Sequence, residues 1–365
     1  VLVVDDSVVI RRLITQALQA EADIEVVGTA SNGKLALAKL EQLRPDLVTL
    51  DIEMPEMDGL ATLPPLRASH PRLPVIMFST LTERGAAATL EALSLGASDY
   101  VTKPSNTGSM DVALQRIRDD LAPKIRALVP GIGPGRSTAV PVPAAPRAAA
   151  PTVVPTRTHT MPAPLPQALV IGVSTGGPTA LAELIPRLPA DLGVPVLVCQ
   201  HMPPVFTRLL AERLDAKSPL HVQEAADGDQ LRPGGVWIAP GGLHMVVRRT
   251  PGGTATVGTN SEPPENSCRP AVDPLLRSAV AAWGSGVLAV ILTGMGQDGL
   301  RGCEAVAEAG GRILVQDEAT SVVWGMPGYV AKAGLADRAL PLDELAVEIT
   351  RRVAGTSLAA ARSER

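Results

Sequence analysis

Through the first 121 residues, five short apolar runs alternate with longer runs of helical period. The strand candidates are residues 1–4, 25–29, 46–51, 74–79 and 99–102. Between them lie stretches such as residues 8–20, where Ile10, Leu13, Ile14, Ala17 and Leu18 fall on one helical face. Parallel strands need a crossover of a dozen or more residues, usually a helix. Strict β–α alternation therefore predicts a parallel sheet covered on both faces. Val1 already lies within a strand-like run, so the natural chain is expected to begin a few residues earlier.

The pattern stops in the segment 122–166. From Pro130 to Pro166 the chain is crowded with Pro, Ala, Gly, Thr and Arg, and neither period survives. Proline fixes φ and removes donors, so this reads as an extended tether without a core, and His159 within it is not a catalytic candidate. A second α/β block follows over residues 167–355, then a tail, 356–365, expected to be disordered. Its strand candidates are 168–173, 194–200, 221–225, 236–239, 243–248, 254–258, 286–292 and 312–316. Helical runs cover 179–187, 205–216, 271–283, 299–309 and 342–353. The Gly-rich turns within 236–258 predict an antiparallel insertion there.

Composition narrows the function classes. Aromatic residues make up 2% of the 365 residues, too few for a stacking platform on single-stranded nucleic acid. The net charge is −4 with no basic block, which argues against nucleic acid as a main partner. Three scattered cysteines have no metal-type spacing and fit a reduced, cytoplasmic setting with structural thiols. No apolar run is long enough to span a bilayer, so direct membrane insertion is not expected.

In doubly wound sheets, ligands sit at the carboxyl ends of strands. Those ends in the first block carry Asp5, Asp6, Asp51, Ser79 and Lys103. Three carboxylates together repel one another unless a hard cation sits among them, and oxygen ligands favour Mg²⁺. A lysine and a hydroxyl facing the same point suit a phosphoryl group. Helix capping accounts for Asp6 or Ser7, but not for functional side chains at so many strand ends.

The stretches V-V-D-D-S, L-D-I-E-M-P-E-M-D-G, M-F-S-T and Y-V-T-K-P resemble the receiver domain of two-component response regulators, a flavodoxin-like fold. That resemblance implies that Asp51 is the phosphoacceptor. It also implies that Asp6, Asp51 and the Glu53 carbonyl ligate Mg²⁺, with Asp5 completing the pocket. Ser79 and Lys103 would contact phosphoryl oxygens, and Tyr100 matches the aromatic switch position.

In the second block, the run A-L-V-I-G-V-S-T-G-G-P-T-A-L puts Ser174 between a strand and a helix start. Three readings fit this turn: a nucleophile beside oxyanion-binding N–H groups, a phosphate-cradling loop, or a plain tight turn. His201 follows P-V-L-V-C-Q, and Asp298 follows G-V-L-A-V-I-L-T-G-M-G-Q. A serine, a histidine and an aspartate thus occupy equivalent strand ends, the composition of a nucleophile–base–orienter triad. Asp298 before Gly299 also suits a helix cap, and His221 and His244 read as structural hydrogen-bonders.

The motifs G-V-S-T-G-G-P, Q-H-M-P, A-P-G-G-x-H, L-T-G-M-G-Q-D-G and Q-D-E-A-T-S-V-V-W-G-M-P resemble the bacterial chemotaxis protein-glutamate methylesterases, which fuse such a domain to a receiver. The resemblance implies a doubly wound, mainly parallel hydrolytic domain with an antiparallel hairpin. The implied activity is hydrolysis of glutamyl methyl esters on chemoreceptors, together with deamidation of receptor glutamines. The implied roles are Ser174 as nucleophile, His201 as base, Asp298 as orienter, and the Thr175 and Met295 N–H groups as the oxyanion hole. The esterase chemistry is expected to need no cofactor. The phosphodonor would be the chemotaxis histidine kinase, and the family precedent is a receiver that covers the catalytic face until phosphorylated. The alternatives are a receiver-linked nucleotide- or phosphate-binding module without esterase activity, and a receiver-driven transcription factor. The latter would need a basic helix-turn-helix that the acidic second block does not offer.

Overall fold

The computed structural model describes residues 1–103, 109–129, 131, 164–250 and 252–355. Most of the expected linker, with His159, and the tail 356–365 lie outside the described residues. The chain separates into two compact units, Val1–Val153 and Val154–Arg365.

The first unit alternates β1 (Leu2–Val4), α1 (Val8–Gln19), β2 (Gly28–Ala30), α2 (Gly33–Leu43), β3 (Val48–Asp51), α3 (Gly59–Ser69), β4 (Val75–Ser79), α4 (Glu83–Ser94), β5 (Asp99–Thr102) and α5 (Met110–Leu128). The sheet runs β2-β1-β3-β4-β5 and every pairing is parallel. Strand order reverses at β1, so the crevice between β1 and β3 is the expected ligand position. Local chemistry sets the helix starts: Ser7, Asn32, Asp58, Thr82 and Ser109 each accept a main-chain N–H from the first turn that follows. Helix α5 continues to Leu128, past the expected boundary at 121, because Ala122, Ile125 and Leu128 keep its apolar stripe buried.

The second unit comprises β6 (Ala168–Val173), α6 (Gly177–Leu184), β7 (Val196–Gln200), α7 (Phe206–Asp215), β8 (His221–Glu224), β9 (Gly235–Ile238), β10 (His244–Arg249), β11 (Ala255–Asn260), α8 (Val272–Trp283), β12 (Val287–Ile291), α9 (Leu300–Glu308), β13 (Arg312–Gln316), α10 (Met326–Lys332), β14 (Arg338–Leu340) and α11 (Leu342–Ala354). Seven of these strands form a sheet in the order β14-β13-β12-β6-β7-β9-β8, parallel throughout. The reversal point is β6, whose six residues are all buried.

The antiparallel insertion is narrower than its turns imply. Among the described strands, only β10 and β11 pair antiparallel, while β9 lies in the main sheet between β7 and β8. Val236 and Ile238 on one face and Trp237 on the other are all buried, which suits a strand covered on both faces rather than a hairpin with a wet face. The short β14 and α10 fall outside the sequence-based expectation. One core gathers residues from both sheet and helices, among them Val170, Leu197, Leu276, Ile291 and Val330. Gly172 admits α8 onto β6, since a Cβ there would lie 2.5 Å from a Val272 methyl carbon.

Candidate active site

Ser174 directly follows β6. Its N–H donates to the Thr293 carbonyl at 3.0 Å, and its carbonyl accepts the Gly177 N–H at 2.8 Å. Gly176 carries φ +78 at the helix start, a left-handed conformation that lets the chain turn from β6 into α6. His201 follows β7, and its N–H reaches back to the Val173 carbonyl at 3.3 Å. Parallel pairing of Val173 with Gln200 sets the nucleophile and the base side by side.

Asp298 arrives from the loop after β12. Its Oδ2 lies 2.7 Å from His201 Nε2 and accepts the Val272 N–H at 2.7 Å. Its Oδ1 accepts from Asn266 Nδ2 at 3.0 Å, Asp273 N–H at 3.1 Å and Gly299 N–H at 3.0 Å. Asp298 therefore caps the start of α8 and orients His201 with the same carboxylate. Burial pushes its carboxyl up, but the His201 ring and the amide donors outweigh this and hold it below the usual range. Burial pulls the His201 pKa down, and the contact with the Asp298 carboxylate overcomes that and pushes it up.

Because an ionised carboxylate only accepts, the proton of the His201–Asp298 bond sits on Nε2. In the neutral ring the lone pair available for base chemistry is then on Nδ1. No hydrogen bond links Ser174 Oγ to His201 among the described residues. Nδ1 lies instead 3.5 Å from Cys268 Sγ.

Around Ser174, the Thr293 hydroxyl donates to the Thr175 carbonyl at 2.9 Å, tying the loop after β12 to the Ser174 turn. The Gly294 N–H donates to Val323, while its carbonyl accepts from Gly325 and Met326. These bonds fix the chain immediately before Met295, whose N–H has no partner among the described residues. His221 pairs with Asp215, and His244 with the Pro263 carbonyl, so both have structural partners.

The first unit brings a second constellation together. Carboxylate oxygens of Asp5, Asp6 and Asp51 lie within 4.8 Å of one another. Lys103 Nζ bridges Asp5 Oδ2 at 3.0 Å and Asp51 Oδ2 at 2.7 Å. Burial pushes the Asp51 pKa up, Lys103 opposes it and the Asp5 charge adds to it, leaving the value at about 6. A cavity of about 200 Å³ is lined by Asp6, Asp51, Glu53, Ser79 and Lys103. Ser7, not Asp6, caps α1. Tyr100 does not line this cavity; it is buried, with Lys124 Nζ 5.2 Å from its ring centroid.

The sequence matches the response regulator receiver domain over residues 1–115 and the CheB methylesterase family over residues 169–349. It is 56% identical to a protein-glutamate methylesterase/protein-glutamine glutaminase of Nocardioides sp., covering 97% of this chain and 95% of that one. The chain belongs to that family. A counterpart of the same name from Trichodesmium erythraeum is 51% identical over 97% of this chain and 98% of its own. Among solved structures, the CheB methylesterase catalytic domain of Thermotoga maritima is 42% identical with a TM-score of 0.50, covering 51% of this chain and 98% of that one. A receiver followed by a methylesterase domain is thus the organisation of this chain. The nucleotide- or phosphate-binding alternative gains no support.

Three residues in the methylesterase domain escape sequence reasoning. Cys268 touches the base, Asn266 bridges Asp298 to Asp273 Oδ2 at 2.9 Å, and Gln200 ties the Ser174 turn to the end of β7. Only Gln200 carries a signal, as a polar residue closing an apolar run just ahead of His201. Among the described residues, no helix is long and apolar enough to cross a membrane.

Proposed function

We propose that Ser174, His201 and Asp298 carry out hydrolysis of glutamyl methyl esters on chemoreceptors, and deamidation of receptor glutamines, under control of Asp51 phosphorylation. The observation that carries this reading is the 2.7 Å His201–Asp298 pair standing on the strand end beside Ser174.

The first step is attack of Ser174 Oγ on the ester carbonyl while His201 Nδ1 takes the hydroxyl proton. Asp298 stabilises the imidazolium that forms. The Thr175 and Met295 N–H groups hold the tetrahedral oxyanion. The proton on Nδ1 passes to the departing methoxide, and methanol leaves. Water then attacks the acyl-enzyme with His201 again as base, regenerating Ser174 and releasing the glutamate carboxyl. With a glutamine substrate the leaving group is ammonia.

In the receiver, the clustered hard oxygens fit Mg²⁺: Asp6, Asp51 and the Glu53 carbonyl would hold it, with Asp5 completing the acidic pocket. When bound, the ion neutralises charge on the phosphoryl group during its transfer. Asp51 accepts the phosphoryl group, and Ser79 and Lys103 hold its oxygens. Tyr100 serves as the switch residue of the receiver. The phosphodonor is the chemotaxis histidine kinase, and the enzyme works in the cytoplasm.

Methanol release from methylated receptor tests the reading. Ser174→Ala is expected to keep its fold and lose turnover; appreciable release would overturn the assignment. Asp51→Asn is expected to keep basal release and lose stimulation by a small phosphodonor.

A further inference from the structure

The His201 ring has one atom able to take the proton of Ser174. Nε2 is committed to Asp298, so the acceptor is Nδ1 with its single lone pair. That atom already has a neighbour, the Cys268 thiol at 3.5 Å. Ser174 Oγ makes no hydrogen bond to the ring among the described residues. In the neutral ring the Cys268 thiol is therefore the X–H group at that lone pair, and the Ser174 hydroxyl must reach the same atom to be deprotonated.

The thiol is fixed in place by its loop. Glu265 and Cys268 exchange main-chain hydrogen bonds at 3.1 and 2.9 Å. The two residues between them, Asn266 and Ser267, take φ values of +52 and +62, a left-handed pair that bends the loop into a tight hairpin. Glu265 forms a two-point ion pair with Arg277 at 2.8 and 2.6 Å, anchoring the loop to α8. Asn266 Nδ2 reaches both Asp298 and Asp273. Arg269 donates to the Ser261 and Glu262 carbonyls on the other flank. The loop that orients the Asp298 carboxylate thus also presents Cys268 to the opposite nitrogen of the same imidazole.

We propose that Cys268 is the resting partner of His201 Nδ1 and competes with Ser174 for it, so that the nucleophile is activated only when its hydroxyl displaces the thiol. This rests on the Ser174–His201–Asp298 assignment. Cys268 is then a positioning residue that acts through the base. It transfers no proton to substrate and forms no bond to it. A thiol is a weak donor, which suits a partner that must give way on every turnover.

The competition has a sign that a packing role does not share. Removing a supporting or space-filling residue slows the nucleophile, whereas removing a competitor speeds it. The test uses the full-length protein and capture of Ser174 by a fluorophosphonate, followed by intact mass. Cys268→Ala and Cys268→Val both delete the donor, and valine keeps most of the volume. Capture is expected to run about 2- to 10-fold faster than wild type in both, the range of one weak hydrogen bond. Capture at or below the wild-type rate in a variant whose tryptophan fluorescence shows a folded domain overturns the proposal. If alanine fails to fold, valine decides. Ser174→Ala is the control for the underlying assignment. An adduct persisting in that variant means the triad reading itself fails, independently of what happens at position 268.

Discussion

The side-chain amide of Gln200 donates to the main-chain carbonyl of Ser174 at 3.0 Å. The same nitrogen reaches the His201 carbonyl at 3.3 Å, so one buried amide couples the chain at the nucleophile to the chain at the base. Gln200 Oε1 is buried without a hydrogen-bond partner, and a Cβ at Gly177 would sit 1.9 Å from it. The amide thus fills the space that the glycine leaves at the start of α6. Gln200→Leu removes both donors at similar length. The expected result is a kcat about 10- to 100-fold lower with KM within a factor of two, because only the alignment of Ser174 and His201 is disturbed. Steady-state methanol release measures it, and an unchanged kcat would show that the clamp is idle.

Gly294 lies behind the nucleophile. A Cβ there would fall 2.9 Å from Ser174 Cβ and 2.4 Å from Met326 Sδ. Methionine can swing aside, but Ser174 is fixed to β6 and to the Thr293 carbonyl. Gly294→Ala is therefore expected to displace Ser174 and to lower kcat about 100-fold while the domain stays folded. Circular dichroism alongside the methanol assay separates this from unfolding; retained turnover would mean that the turn relaxes freely.

Much of this site is legible in the chain because parallel strands advertise their ends. Ser174, His201 and Asp298 each follow an apolar run whose length and β-branched content mark a covered strand, and the topology then brings those ends to one edge. The receiver carboxylates are legible for the same reason. Cys268 and Asn266 are not. Their loop has no period, its shape depends on two left-handed residues, and the cysteine gives no hint that it faces a histidine 67 positions away. The parallel placement of β9 is hidden too, since A-P-G-G after Ile238 reads as a hairpin turn when it in fact leads out of the sheet. With three residues in β14 and seven in α10, neither element is long enough to show a period.

Glu348 on α11 gives a pH-dependent prediction. Burial raises its pKa, but hydrogen bonds from Arg351 and Arg352 outweigh this and take it from the usual 4.5 to about 2. Arg338 adds a third contact at 3.2 Å. A carboxyl depressed on folding adds stability that is fully present above pH 4.5 and is lost as pH falls towards 2. Since α11 packs on α6, that stability supports the helix that begins beside Ser174. Glu348→Gln is expected to cost about 1 to 2 kcal/mol at pH 7, allowing for solvent screening of the arginines. Urea unfolding followed by tryptophan fluorescence should show the deficit shrinking as the pH falls below 4. A deficit that stays constant with pH would rule out the ion-pair origin.

Among the described residues, Lys103 is the one cation placed between Asp5 and Asp51, at 3.0 and 2.7 Å. Both carboxylates are buried, so each depends on it for neutralisation. Lys103→Met leaves two buried carboxylates facing each other with Asp6 nearby, and is expected to destabilise the receiver by about 3 kcal/mol. Two results should follow from that cause. Adding Asp51→Asn should restore part of the loss, because one of the facing charges is gone. Adding Mg²⁺ should stabilise Lys103→Met more than it stabilises the wild type, because a divalent ion among the same oxygens takes over the neutralisation. Calorimetric unfolding of the full-length protein with and without Mg²⁺ reads both. If the double variant is no more stable than the single one, carboxylate repulsion is not what Lys103 holds in check.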